Sequence, residues 1–152
     1  MTIAITGGTG FVGQAVLDAA ERQGLSIRAL ARTVPSDRNS VTWVQGSLSD
    51  AAALAKLVEG AEAVIHVAGL TNTPDPAEFE AANVTGTEAL LAATKAAKIK
   101  RFVFVSSLSA REPHLSLYGA SKQRAEEAVK ASGINWTILR PPGVYGPRDI
   151  DY

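Results

Sequence analysis

The feature that most constrains this chain is a glycine-rich turn that directly follows its first apolar segment. Thr2–Thr6 has the composition of a short buried strand. The residues of the turn are Gly7, Gly8, Thr9, Gly10, Phe11, Val12 and Gly13. Their glycines satisfy both the G-x-x-G-x-x-G and the G-x-G-x-x-G spacing. Because glycine permits a sharp turn, close approach of a ligand to the backbone and tight packing of helix on strand, the pattern predicts a strand, a turn and a helix.

The predicted turn is suited to binding a pyrophosphate. Backbone amides at the N-terminus of the following helix, together with the helix macrodipole, favour a negatively charged group. A glycine triplet alone is weak evidence, since glycine-rich turns are common. Here a strand precedes the turn and an amphipathic helix follows it, which is the context that a dinucleotide site needs. We therefore predict that residues 7–13 bind the pyrophosphate of a dinucleotide.

Composition narrows the class of protein. The 152 residues suit one domain with a substantial core, and 15 basic and 15 acidic side chains leave no net charge to attract nucleic acid or a membrane surface. Without cysteine, and with only His66 and His114, we expect neither a disulfide framework nor a metal site. No apolar run is long enough to span a bilayer, and the first strand begins at Thr2. We therefore expect a cytoplasmic protein without a targeting peptide.

Strand-like and helix-like segments alternate along the rest of the chain. Further strands are predicted at Leu25–Ala31, Val41–Gln45, Ala63–Val67, Phe102–Val105 and Ile134–Leu139. Further helices are predicted from Ser49 or Asp50 to Gly60, over Ala77–Ala97 and over Tyr118–Ser132. This alternation predicts an α/β fold of the Rossmann type, with a doubly wound, six-stranded parallel sheet and helices on both faces. A ligand is expected at the carboxyl ends of the strands, at the switch point of the strand order.

The residue after the second strand bears on the choice of cofactor. Dinucleotide folds that bind NAD place a carboxylate about 20 residues beyond the glycines, where it meets the ribose 2′-hydroxyl. This chain has Ala31-Arg32 there. A guanidinium stays charged and donates two parallel hydrogen bonds to a phosphate, so Arg32 favours NADP over NAD. The alternative is that Arg32 is a solvated surface charge.

Two further strand ends are predicted to line the cofactor. Ser47 and Leu48 follow the third strand and are expected at an adenine pocket. Val67, Ala68 and Gly69 follow the fourth, and their small size lets a cofactor pass close to the backbone. His66, one position earlier, is interpreted as a hydrogen-bonded core residue rather than a catalyst.

The end of the fifth strand and the next helix carry the side chains for catalysis. Ser106-Ser107 ends the strand, and Tyr118 and Lys122 lie one helical turn apart, so both project from one face. A free phenol titrates near about pH 10, and a neighbouring ammonium is expected to lower that pKa. Ser107 would hydrogen-bond the same substrate oxygen and fix it for proton transfer. The alternative is an ordinary Tyr/Lys pair on a solvated helix.

These motifs together resemble the short-chain dehydrogenases/reductases, of the extended or atypical kind known as NAD-dependent epimerases/dehydratases. The resemblance rests on Thr6–Gly13, Asn83–Thr87, Val105–Ser107, Tyr118 with Lys122, and Arg140–Pro147. It implies that Ser107, Tyr118 and Lys122 form the catalytic triad and that Lys122 also holds the nicotinamide ribose. It further implies that the nicotinamide is lined by Pro141, Gly143 and Val144.

The resemblance leaves one role open and shows two departures. Asn83 corresponds to an asparagine that supports the family's site, or else it is a buried amide that ties a helix to a strand. Ser47 stands where the family usually has an aspartate, so a hydroxyl would replace the carboxylate at the adenine. The sequence ends at Tyr152, where extended members continue into a substrate-binding region.

The sequence therefore predicts an NAD(P)-dependent oxidoreductase domain that transfers a hydride to or from a carbon bearing a hydroxyl or carbonyl. An epimerase or dehydratase of a nucleotide sugar would use the same groups. A non-catalytic dinucleotide-binding module, such as a redox sensor or accessory subunit, is one rival, although the chain keeps Tyr118 and Lys122. A fragment that folds without turnover is another, and its exposed apolar surface would favour a homo-oligomer. Arg111 and His114 are expected to be solvated.

Overall fold

Six parallel strands form the central sheet in the computed structural model, which describes residues 1–150. The strands are β1 Thr2–Thr6, β2 Ser26–Ala31, β3 Val41–Gln45, β4 Ala63–His66, β5 Arg101–Val105 and β6 Asn135–Leu139. Their order in the sheet is β3-β2-β1-β4-β5-β6. The order reverses between β1 and β4, which opens a crevice at their carboxyl ends. The predicted doubly wound sheet is confirmed, and the glycine turn lies at the switch point.

The helices cover both faces of the sheet, as predicted. They are α1 Phe11–Arg22, α2 Ala51–Val58, α3 Pro76–Phe79, α4 Gly86–Ala96 and α5 Leu117–Ala131. Buried side chains of α1, such as Leu17, pack on β1, β2 and β3. Those of α2, α4 and α5, such as Leu57, Leu90 and Val129, form the core on the opposite face. Apolar burial on both faces explains the mainly hydrophobic composition of the central strands β1 and β4.

Local sequence signals fix most of the helix ends. The Asp50 carboxylate accepts from the Ala53 amide at 3.1 Å and starts α2. The Ser116 hydroxyl accepts from the Gly119 amide at 2.9 Å and starts α5. Gly24 follows α1 with φ at 67°, a left-handed conformation that ends a helix cheaply only at glycine. The ends differ from the predicted ones by one or two residues.

The helix predicted over Ala77–Ala97 is the main departure from the sequence prediction. Between α3 and α4 the chain forms a six-residue π-helical segment, Glu80–Thr85, whose buried residues are Asn83 and Val84. A π turn inserts an extra residue into the helical register, and such turns are frequent at functional sites. Apolar periodicity did not indicate it, because the composition of the segment remains that of a helix. Two short 3₁₀ turns, Leu108–Arg111 and Pro113–Leu115, were also not predicted.

The glycines of the turn have different structural tasks. A Cβ on Gly13 would lie 1.7 Å from the Gly7 oxygen, and a Cβ on Gly7 would lie 2.5 Å from the Ala68 nitrogen. Both positions are therefore required by close contact of backbone with backbone. A Cβ on Gly10 would meet only the Gly7 oxygen, at 3.5 Å. Space beside Gly10 is thus open at the N-terminus of α1.

We expect Gly13→Ala to destabilise the fold by about 1–3 kcal/mol or more, since the methyl group forces the start of α1 away from the turn. Gly10→Ala is the matched control in the same turn and should change the free energy of unfolding much less. Urea denaturation followed by circular dichroism measures both. Equal stabilities for the two variants would contradict the packing role of Gly13.

Candidate active site

The N-terminus of α1 is open to an anion. Gly10 is the N-cap residue, no side chain caps the helix, and its first turn contains no acidic residue. Two local hydrogen bonds stabilise the turn. The Gly10 amide donates to the Gly7 oxygen at 3.1 Å, and Gln14 Nε2 donates to the Thr9 oxygen at 3.0 Å. The remaining first-turn amides and the space beside Gly10 fit a pyrophosphate.

Arg32 lies beside this turn, on the surface of an open cleft. The cleft has a volume of about 560 Å³ and is lined by Thr9, Arg32, Thr33 and Pro35. Among residues 1–150 the Arg32 guanidinium forms no ion pair, whereas Arg38 in the same loop pairs with Asp18 at 2.7 Å. The charge of Arg32 is therefore free to meet an anion that enters the cleft.

The ends of β3 and β4 approach the site in different ways. The Ser47 hydroxyl shares a 2.8 Å hydrogen bond with Ser49, while Leu48 packs on the core and contacts Gly86. Val67 and Ala68 follow β4 and lead to Gly69. A Cβ on Gly69 would lie 3.2 Å from Asn83 Oδ1 and 3.4 Å from Lys122 Nζ. Gly69 thus keeps the backbone close to both polar groups.

Ser107, Tyr118 and Lys122 lie at the carboxyl end of β5. Lys122 is 3% exposed, and its ammonium donates to the Val105 oxygen at 3.1 Å, directly on the last residue of the strand. The Nζ atom also lies 4.5 Å from the centre of the Phe104 ring, a stabilising cation–π contact. Tyr118 is half-buried, with its ring 6.1 Å from that of Phe79. The Ser107 hydroxyl accepts from the Ser109 amide at 3.1 Å.

Burial sets the protonation of this pair. It lowers the pKa of Lys122 to about 8, against a smaller opposite effect of Glu126. Burial also raises the pKa of Tyr118, and hydrogen bonding with Ser107 opposes that rise. The predicted lowering of the pKa of Tyr118 is therefore wrong for this structure. Desolvation of the phenol outweighs the opposing effect of the hydrogen bond with Ser107.

Asn83 is buried and uses its whole amide. Its Oδ1 accepts from the Leu70 amide at 2.7 Å, and its Nδ2 donates to the Leu70 oxygen at 2.9 Å and to Ser121 Oγ at 3.0 Å. Ser121 Oγ in turn donates to the backbone oxygen of Tyr118 at 2.7 Å. The amide thus ties the π-helical segment to the loop after β4, and it also reaches α5 beside Lys122.

The histidines occupy the environments that the sequence predicted. His66 is fully buried, with hydrogen bonds of 2.6 Å to Thr6 and 2.8 Å to Thr87. Burial, helped by the charge of Lys122, lowers its pKa to about 3, so the ring is neutral. His114 is 71% exposed, and Arg111 is exposed as well. A core histidine and two solvated loop residues are confirmed.

The segment after β6 lies next to the Ser107 loop. The Pro141 oxygen accepts from the Leu108 amide at 3.0 Å, while Gly143 and Val144 are exposed. The buried carboxylate of Glu126, which pairs with Arg140 at 2.8 Å, was not predicted. Its spacing of four residues from Lys122 on one helix was the available signal.

Residues 1–150 contain no group of three or more histidine, aspartate or glutamate side chains placed to hold a metal ion. None of the helices in that range has both the length and the apolar character to cross a membrane.

Comparison with known proteins finds relatives along almost the whole chain. A family described as NAD(P)H-binding matches residues 7–152. Ceramide reductase of Caulobacter vibrioides is 43% identical over 98% of this chain and 48% of its own length. The 4-hydroxy-2-methyl-3-oxo-4-farnesyl-3,4-dihydroquinoline-1-oxide ketoreductase of Stigmatella aurantiaca is 32% identical over 97% of this chain and 52% of its own length. The chain thus spans about half the length of these curated relatives.

A solved structure agrees with the sequence comparison. A short-chain dehydrogenase/reductase superfamily protein of Agrobacterium tumefaciens, crystallised with NAD, is 33% identical and superposes with a TM-score of 0.82. The superposition covers 92% of this chain and 48% of that protein. The fold, the glycine turn and the family match agree, and this chain belongs to the NAD(P)H-binding family of the short-chain dehydrogenase/reductase superfamily.

Proposed function

We propose that this chain is the cofactor-binding and catalytic portion of an NAD(P)H-dependent carbonyl reductase. The observation that supports it most is the convergence of Ser107, Tyr118 and Lys122 at the end of β5, on the same edge of the sheet as the glycine turn. The two curated relatives described above are named as reductases, which favours reduction over epimerisation or dehydration.

In this proposal the two ends of the cofactor are held by different parts of the chain. The turn at Gly7–Gly13 holds the pyrophosphate, Arg32 meets the 2′-phosphate of NADP, and Ser47 and Leu48 face the adenine. Lys122 holds the nicotinamide ribose, and the ring is lined by Pro141, Gly143 and Val144. When bound, the reduced nicotinamide supplies the hydride that adds to the carbonyl carbon.

The side chains of the site would manage the substrate oxygen. Ser107 donates a hydrogen bond that fixes the oxygen, and Tyr118 gives its proton to that oxygen as negative charge develops. A raised pKa keeps Tyr118 protonated at neutral pH, which suits an acid that acts in the reducing direction. Lys122, held against Val105, keeps a positive charge close by at neutral pH.

We further propose a ketone on a largely apolar molecule as the substrate. Leu108 follows Ser107 directly, and Leu115 and Leu117 precede Tyr118; these leucines are 44%, 73% and 59% exposed. Exposed leucines beside a catalytic pair are suited to contacting an apolar substrate. The curated relatives are named for a ceramide and for a farnesylated quinoline oxide, which agrees with that class. We expect the protein in the cytoplasm.

The second candidate function is a dinucleotide-binding module without catalysis. It would need the glycine turn but not a buried Lys122 beside Tyr118. Burying an ammonium costs free energy, and a binding module would gain nothing from that cost at the end of β5. The retained pair therefore favours the reductase.

Tyr118→Phe should lower the rate of ketone reduction by about 10²- to 10⁴-fold, because the proton donor is lost. NADPH affinity should remain, since phenylalanine keeps the packing on Phe79. The rate is measured as NADPH consumption with long-chain ketones, and Tyr145→Phe, at an 83% exposed position, is the control. Undiminished turnover would refute the role of Tyr118. Absence of turnover by the unmutated, NADPH-bound chain would favour the non-catalytic module.

Arg32→Ala should weaken NADPH binding with little change in NADH binding, since only NADPH carries the 2′-phosphate. Loss of a charge-assisted contact is worth about 1.5–3 kcal/mol, or roughly 10- to 150-fold in the dissociation constant. Fluorescence titration measures both cofactors. Arg101→Ala, at the amino end of β5, removes an exposed arginine elsewhere and is the control. Equal affinities of the unmutated chain for NADPH and NADH would contradict the preference for NADP.

The pKa of Lys122 predicts how stability depends on pH. It is about 8 in the folded chain and 10.5 when unperturbed, so between these values the unfolded chain binds more protons. Stability should therefore rise as pH increases from about 8 to about 10.5, by about 3 kcal/mol at most. Lys122→Met should remove the rise, whereas Lys130→Met, exposed on the same helix, should retain it. Denaturation at pH values across this range measures the free energy of unfolding. A rise that persists in Lys122→Met would contradict the role of Lys122 in the pH dependence.

A further inference from the structure

A buried chain of hydrogen bonds joins the glycine turn to the π-helical segment. Thr6, the last residue of β1, bonds through its hydroxyl to His66 Nδ1 at 2.6 Å. On the other side of the ring, Nε2 lies 2.8 Å from the Thr87 hydroxyl. Thr87 Oγ1 donates to the backbone oxygen of Asn83 at 2.8 Å. His66 is therefore the central link between the residue before Gly7 and the first turn of α4.

The same chain continues to the helix of the catalytic pair. The side-chain amide of Asn83 donates to Ser121 Oγ at 3.0 Å, and Ser121 Oγ donates to the backbone oxygen of Tyr118 at 2.7 Å. His66, Asn83, Thr87 and Ser121 are all buried, each at most 1% exposed. Water therefore cannot replace a missing partner without opening the core.

The direction of every bond in this chain is determined. The single proton of the Thr87 hydroxyl goes to the Asn83 oxygen, so Thr87 can only accept from His66. Nε2 must therefore carry the proton of the ring, and Nδ1 must accept the proton of Thr6. The Thr6 oxygen accepts in turn from the amides of Val67 and Ala68, both at 3.2 Å.

The surroundings of the ring hold it in this neutral form. The His66 ring stacks on the Phe104 ring, with the two ring centres 5.4 Å apart. The Lys122 ammonium lies 4.5 Å from the centre of the Phe104 ring. A second proton on His66 would face both this ammonium and the hydroxyl proton of Thr6. The imidazole is thus a fixed donor on one side and a fixed acceptor on the other.

We propose that His66 is a positioning residue whose Nε2–H tautomer couples the geometry of the glycine turn to the placement of Tyr118 and Lys122. The inference rests on the proposed function, because it assumes that the turn binds the diphosphate of the cofactor. Occupation of the turn fixes Thr6, and Thr6 fixes the imidazole. The imidazole, through Thr87 and Asn83, fixes α5.

Removal of the Thr87 hydroxyl tests this coupling from its far end. In Thr87→Val the Nε2–H group has no acceptor, and the buried ring must shift or rotate to find one. Because Nδ1 moves with the ring, its hydrogen bond with Thr6 weakens and the turn before Gly7 is disturbed. A structural defect confined to α4 would not reach the turn.

The probe is ADP, which carries the diphosphate but no nicotinamide and so tests the turn without contact with Tyr118. We expect Thr87→Val to weaken ADP binding by about 2- to 30-fold, the range of measured coupling through packed networks. Thr87→Ser keeps the hydroxyl and should restore the affinity. Thr94→Val is the matched control, because buried Thr94 also donates to the backbone oxygen four residues earlier, at 2.7 Å, and has no hydrogen bond with His66.

Nitrogen-15 NMR of the imidazole supplies a signature of the ring itself. We expect the Nε2–H form in the unmutated chain, a shift of both ring nitrogens when ADP binds, and in Thr87→Val a change at Nδ1 that reports the weakened hydrogen bond with Thr6. Any one of three results would overturn the coupling but not the cofactor site. They are an Nδ1–H ring in the unmutated chain, ring resonances that do not change when ADP binds, and equal ADP affinity of Thr87→Val and Thr94→Val. Failure of ADP to bind the unmutated chain would overturn the proposed cofactor site as well.

Discussion

The contact of backbone with backbone at the glycine turn is the constraint on which the rest of the site depends. Gly13 brings the first turn of α1 against Gly7, and Gly7 brings β1 against Ala68 at the end of β4. A side chain at Gly13 would push the N-terminus of α1 away from the turn, and a side chain at Gly7 would push β1 away from the residues that follow β4. Because the anion site needs free amides at the edge of the sheet, its position follows from these two contacts.

Burial of Lys122 governs the electrostatics at the other end of the crevice. Its ammonium loses hydration and recovers part of the free energy from the Val105 oxygen and the Phe104 ring. Glu126, one turn further along α5, is paired with Arg140, so its charge is shared. The pKa of Lys122 falls and that of Tyr118 rises for the same reason, which is loss of water. A protonated phenol beside a charged lysine is the state that carbonyl reduction requires.

The sequence predicted what depends on backbone chemistry and strand order. The glycine turn, the alternation of strands and helices, the buried His66 and the start of a helix at Ser49 or Asp50 follow from conformational or burial preferences of single residues, and the structure confirms them. It did not predict the π-helical segment, since a change of hydrogen-bond register leaves no mark on composition. It also gave the wrong direction for the pKa of Tyr118. The spacing of Tyr118 and Lys122 shows that they share a face but not how much water reaches them.

The π-helical segment explains how two separate ends of one crevice are held in register. Thr87 bonds back to the Asn83 oxygen four residues earlier, while the Asn83 side chain holds Leu70 and Ser121. One short stretch thus contacts His66 on one side and α5 on the other. In a regular helix the extra residue of the π turn would be absent, and every side chain beyond it would rotate by about 100° relative to those before it. Asn83 and Thr87 would then no longer face their separate partners together, and the polar contacts that link Thr6 to α5 through these two residues would be lost.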